Sequence, residues 1–185
     1  MENSKSGIDY NFYSSLLDLF DQSCRKFSDK PMVTCMGATL TYSEVDALSR
    51  KFAAFLQNKL GLKPKDRIAI QLPNLPQYHV ADYGAIRAGL VIVNTNPLYT
   101  PRELRHQFQD AHVEVLLTLN AILPVVNQIR AETPLKTIIV TSPTDLLGVP
   151  HTPVEGESEY GFMDVLEQGG QWDVTPVKIT QDDLI

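Results

Sequence analysis

Four histidines, two cysteines and a surplus of carboxylates are the side chains here that could ligate a metal or move protons. A transition-metal site needs three or four such groups converging on one point. His106 and His112 stand six residues apart, on different faces of a helix, while His79 and His151 lie far from both in sequence. The histidines are therefore read as exposed or hydrogen-bonded rather than ligating. Cys24 and Cys35 have neither metal nor redox spacing, and read as reduced packing thiols. Glu103 and Asp46 fall where helix caps are expected, and Asp182 and Asp183 read as turn residues rather than an acid/base pair. No G-x-S-x-G elbow occurs, so a self-contained hydrolase gains no support.

Phosphate chemistry would need a glycine-rich cradle, and neither G-x-G-x-x-G nor G-x-x-x-x-G-K-[ST] occurs in these 185 residues. The first strand-to-helix turn reads LPNLPQ at residues 72–77, with prolines where a dinucleotide site needs glycines for close backbone approach. Gly169-Gly170 reads as a helix stop. Lys63, Lys65 and Arg67 form a small basic cluster, read as a solvated loop.

The elements that would position any site follow from periodicity. Ser14 or Ser15 can cap a helix whose Phe12, Leu16, Leu19, Phe20 and Phe27 make one apolar stripe, which must lie against something. MVTCM and TLTY, separated by Gly37-Ala38, read as a β-hairpin. Ser43 with Asp46 suggests a capping box opening a helix that buries Val45, Leu48, Phe52, Phe55 and Leu56, with Gly61 ending it. Strands and helices then alternate. Residues 67–72 form a strand, followed by a helix ending near Gly89 and a wholly apolar strand at 90–93, expected to be covered on both faces. Thr100-Pro101-Arg102-Glu103 combines a threonine cap, a first-turn proline and a glutamate three residues after the cap. Leu104, Phe108 and Ala111 give that helix its buried face. Further strands are predicted at 113–119 and 137–141, with a helix over 122–129 between them and a short helix over 162–168.

This alternation predicts an α/β fold: a mostly parallel, doubly wound sheet with flanking helices and an N-terminal β-hairpin. The chain is divided into a first α/β subdomain at 1–141, an exposed acidic loop at 142–160 and the start of a truncated next subdomain at 161–185. Val177, Ile179, Leu184 and Ile185 read as the beginning of strands without partners. Net charge is −6, which gives no basic footprint for nucleic acid. Hydrophobic residues make up 43% and charged residues 21%, an ordinary globular balance. No apolar run reaches membrane-spanning length, and MENSKSGIDY lacks the apolar core of a signal peptide. The expected location is cytoplasmic.

Three segments carry a family resemblance: LTYSEVDALSRKFA, DRIAIQLPNLPQY and RAGLVIVNTNPLYTPREL. Together they resemble the opening portion of acyl-CoA synthetases of the adenylate-forming superfamily, and the NPLYTPRELRHQ string resembles the bacterial long-chain fatty-acid:CoA ligases. The resemblance implies a parent enzyme that joins a fatty acid to coenzyme A at the expense of ATP, through an acyl-adenylate, with release of AMP and pyrophosphate. It also implies ATP, Mg2+ and coenzyme A as the parent's cofactors and substrates, a parent homodimer, and peripheral membrane contact at the inner face of the cell membrane.

In that family the phosphate loop, later core elements and a mobile C-terminal domain supply the charge-stabilising groups. None lies within residues 1–185, so no catalytic, cofactor-binding or metal-binding residue is assigned and the segment alone is expected to be inactive, with no cofactor of its own. Asn94, Asn96, Pro97, Tyr99 and Arg102 match the family string and are assigned to shaping the turn after a strand. The apolar stripes are assigned to core packing rather than to the walls of an acyl tunnel. Bacterial relatives often have a longer, basic and apolar loop near 142–160, whereas this one is short and acidic. Two alternatives stay open. One is a ligase for another acid, or a fatty-acyl-AMP ligase; the other is a non-catalytic α/β binding module.

Overall fold

The computed structural model describes residues 12–147 and 159–183. Its centre is a five-stranded, wholly parallel sheet, built by the alternation read from the sequence. The strands are β3 (Arg67–Gln71), β4 (Val91–Asn94), β5 (Val115–Leu119), β6 (Thr137–Thr141) and β7 (Glu159–Gly161). Ahead of them, β1 (Pro31–Cys35) and β2 (Ala38–Thr41) form the expected antiparallel hairpin. Its turn is made by Met36 and Gly37, both at positive φ.

Successive side chains of a strand point to opposite faces, and the central strands follow that rule. Ile68, Ile70, Val115, Leu117 and Ile139 enter one core, whereas Ala69, Leu116, Ile138 and Val140 enter the other. The first core is roofed by α1 (Leu16–Lys26), α2 (Tyr42–Asn58), α3 (Pro76–Arg87) and α6 (Phe162–Gly169). The second is covered by α4 (Pro101–Asp110) and the short α5 (Leu123–Asn127), with a 3-10 turn at Arg130–Glu132.

The strand order is β4-β3-β5-β6-β7. After β3 the chain steps to one side, then returns past β3 to continue on the other. With crossovers of one hand, that reversal sends α3 and α4 to opposite faces of the sheet.

Several expectations change here. The cap of the helix after the hairpin lies two residues earlier than read, so its capping box is Thr41 with Glu44, not Ser43 with Asp46. The strand at 90–93 lies at the sheet edge, and Val91, Ile92 and Val93 are only half-buried. The apolar stripe on α1 is split. Phe20 is buried against Tyr83, while Phe12, Leu16, Leu19 and Phe27 are exposed. Glu159–Gly161 pairs with β6, and α6 packs on α2. Residues 159–169 thus belong to the same layers as those before them. Residues 148–158 of the acidic loop lie outside the described residues.

Val177 and Ile179 do not begin strands. Residues 171–180 run as an irregular strap past the C-terminal end of α2 and on towards Gly89. Gln57 holds the strap by donating to Thr175 O at 3.0 Å and accepting from Thr175 N at 2.9 Å, as a strand neighbour would. Among the described residues, no helix is long and apolar enough to cross a membrane.

Candidate functional site

In open parallel sheets the natural ligand crevice lies outside the carboxyl ends of the strands, where the strand order reverses. Here that point falls between β3 and β5, and its residues are polar side chains in otherwise apolar strands. Gln71 ends β3 and Thr118 lies in β5, both fully buried. Thr118 Oγ1 donates to Gln71 Oε1 at 3.0 Å, which ties the two strand ends together. A buried pair like this avoids the cost of an unsatisfied polar group.

Gln77, in the first turn of α3, reaches across the end of β5 to the exit of β6. Its Nε2 donates to Ser142 O at 2.8 Å and Asp145 O at 2.9 Å. Asp145 shapes that exit, accepting from Thr141 Oγ1 at 2.8 Å and from Ser142 N at 3.0 Å. Gln77 is wholly buried, and its Oε1 has no partner among the described residues.

On the other side of the reversal, Tyr78 O–H donates to Asn94 Oδ1 at 2.9 Å and Leu98 N–H donates to Asn96 Oδ1 at 2.9 Å. Thr100 caps α4: Thr100 N donates to Glu103 Oε2 at 2.8 Å, and these Thr100 bonds hold the Glu103 carboxyl below its ordinary value. The string from Asn94 to Arg102 thus forms a turn and helix start, with Arg102 exposed.

The remaining candidates are dispersed. His79 is half-buried, and burial lowers its pKa; His106 and His112 are exposed. His151 lies outside the described residues. Cys24 is buried, and burial pushes its thiol up to about 11, so it stays protonated near neutral pH. Asp183 accepts from Thr180 N at 2.8 Å and from its hydroxyl at 2.9 Å, closing a local turn. Lys63, Lys65 and Arg67 are all exposed.

Asp46, read as a cap, instead shares the buried Arg87 with Asp21. Arg87 Nη2 donates to Asp21 Oδ1 at 2.6 Å and to Asp46 Oδ1, and Arg87 Nε donates to Ser49 Oγ at 3.1 Å. This cluster fastens α1 and α2 to α3, away from the strand ends.

Chemically, the switch point holds neutral amides and hydroxyls around one carboxylate already bonded to its own turn. Such groups shape and hold loops. The turn after β3 contains Pro73 and Pro76 and no glycine, so it offers no backbone cradle for phosphate. Among the described residues, no group of three or more His, Cys, Asp or Glu could hold a metal ion. Gln71, Gln77 and Thr118 were not singled out from sequence. The available signal was a polar residue inside an apolar strand, as in RIAIQ and VLLTL.

Comparison with known proteins agrees with this architecture. A long-chain-fatty-acid--CoA ligase of Escherichia coli O6:H1 is 42% identical over 135 residues, covering 73% of this chain and 24% of that protein. One from Haemophilus influenzae is 40% identical over 146 residues, covering 79% of this chain and 26% of its own length. The chain thus spans about a quarter of the curated relatives it matches. The crystal structure of the anthranilate CoA ligase AuaEII in complex with anthranoyl-AMP superposes with a TM-score of 0.79 at 18% identity, over 92% of this chain and 31% of that one. Residues 20–184 match the family described as AMP-binding enzyme, and the chain belongs to that family.

Proposed function

We propose that this chain is the N-terminal portion of a long-chain fatty-acid:CoA ligase, which converts a fatty acid, ATP and coenzyme A into acyl-CoA, AMP and pyrophosphate. The single observation that carries this reading is the 42% identity with such a ligase across 73% of the chain. The portion described here serves as scaffold. It supplies a sheet whose strand ends are tied by Gln71, Thr118 and Gln77, against which the nucleotide-handling parts of the enzyme are built.

ATP and Mg2+ do not fit the residues at the switch point. The prolines of the β3–α3 turn and the absence of a carboxylate or histidine cluster among the described residues leave nothing to hold them. No step of the reaction is therefore routed through these side chains. The proposal places the enzyme in the cytoplasm, as a homodimer in peripheral contact with the membrane.

The experiment reads the coding sequence past Ile185 and assays the encoded polypeptide with ATP, coenzyme A and a panel of acids. Acyl-CoA formation with long-chain acids is the expected result. A preference for aromatic or short acids contradicts the substrate assignment, and acyl-AMP as the final product contradicts the coenzyme A step.

A further inference from the structure

Among the described residues, the carboxylates that are not fully exposed have partners, with one exception. Asp21 and Asp46 meet Arg87, Glu114 meets Lys136, Glu159 meets Arg130, and Asp145 accepts from its own turn. Asp18 and Asp183 are likewise bonded, and Asp164 has a partner. The exception is Asp82 on α3, half-buried and with neither a hydrogen bond nor an ion pair. Burial pushes its carboxyl up to about 6; Tyr78 and Tyr83 are raised chiefly by their own burial and further by the Asp82 charge. An ionised carboxylate held this way costs free energy unless a cation answers it.

The place of Asp82 in the fold indicates where the cation comes from. Tyr78, one turn earlier on the same helix face, hydrogen-bonds Asn94 at the end of β4. One further turn is about 6 Å along α3, and two strand residues span roughly 7 Å. Asp82 therefore lies alongside Ile92, beside the edge of the sheet. Among the described residues β4 pairs with β3 alone, and its Val91, Ile92 and Val93 are only half covered. One corner thus combines an open strand edge, half-covered aliphatic side chains and an unanswered anion.

We propose that the corner between α3 and the outer edge of β4 receives a later, partly apolar segment of the same polypeptide, whose Lys or Arg pairs with Asp82. The occupant is assigned to the same polypeptide because the curated relatives extend over about four times the matched length. The inference rests on the proposal that the chain opens a longer ligase.

The test labels carboxylates with a carbodiimide and an added amine, with mass spectrometric readout at each residue and exposed Asp110 as internal standard. Asp82 should react in the 185-residue chain and be protected at least tenfold in the longer polypeptide. Equal labelling of Asp82 in a longer polypeptide that forms acyl-CoA overturns the docking inference and leaves the functional reading standing. Protection in a longer polypeptide without ligase activity supports docking and overturns the functional reading. Protection that grows with the concentration of the 185-residue chain points to a second copy and overturns the assignment. Asp82→Asn separates ion pairing from simple covering. It should lower the longer polypeptide's thermal midpoint by roughly 2–4 °C without lowering that of the 185-residue chain. A rise in both overturns the cation.

Discussion

The layer of α2, α3 and α6 and the strap at residues 171–180 lie against each other but are held by different means. In the layer, helices meet backbone to backbone. A Cβ on Gly169 would stand 2.0 Å from Lys51 O, and one on Gly84 would stand 2.9 Å from Ser49 O. Phe52 and Phe55 fill the space around these crossings, and Arg87 pins α1 and α2 to α3 from inside. The strap has no such core. Its residues are mostly exposed, and its anchors are the two Gln57 bonds to Thr175, the Asn58 bond to Asp173 O and the close approach of Val177 to Gly89. The difference shows how one chain can be tightly fixed where helices cross and lightly fixed where an irregular segment lies on them.

The sharpest way to break that contrast is Gly169→Ala. Helix propensity alone favours alanine by about 1 kcal/mol, but the clash with the α2 backbone should reverse the sign and cost about 3 kcal/mol. Urea unfolding followed by circular dichroism measures it, and a stabilised variant would show that the helices can separate. Arg87→Met should cost about 2–3 kcal/mol, since it takes the buried cation from Asp21 and Asp46 and leaves them only the half-exposed Arg50. Pairing it with Asp46→Asn should recover part of the loss, and strict additivity would deny the shared network.

Asp82 sharpens the comparison through pH. Its folded-state pKa, near 6, lies above the ordinary carboxyl value. The folded state therefore binds more protons between about pH 4 and 6, and the stability associated with this group is present below that window and lost as pH rises through it. Asp82→Asn should remove that part of the slope in stability against pH; an unchanged slope would assign it to other groups. The smallest global effect belongs to Gln57→Ala. Amide exchange at Thr175 should accelerate by roughly tenfold while the unfolding midpoint stays within about 0.5 kcal/mol of the parent value. A comparable loss of global stability would make the strap part of the core.

Local signals in the sequence were legible. The alternation in β3, β5 and β6, the hairpin turn at Gly37 and the Thr100–Glu103 capping box all appear where the residues predict them. These depend on neighbours a few positions apart. The edge position of β4 was not legible, because an apolar strand reads alike at the centre and at the rim of a sheet. Nor was the Arg87 clamp, whose partner Asp21 lies 66 positions away. Gln77 reaches carbonyls 65 and 68 residues on, a contact set by strand order rather than by local pattern. The strap misled for a related reason: Val177 and Ile179 have strand character, but their segment is anchored by an amide side chain of α2 instead of a strand.

The claim that this chain is scaffold, with the nucleotide chemistry supplied by other parts of the enzyme, is tested most directly by ATP–pyrophosphate exchange with a long-chain fatty acid. The purified 185-residue chain should show no exchange above a protein-free control, while the longer polypeptide shows it readily. Sustained exchange by the 185 residues alone would contradict the account.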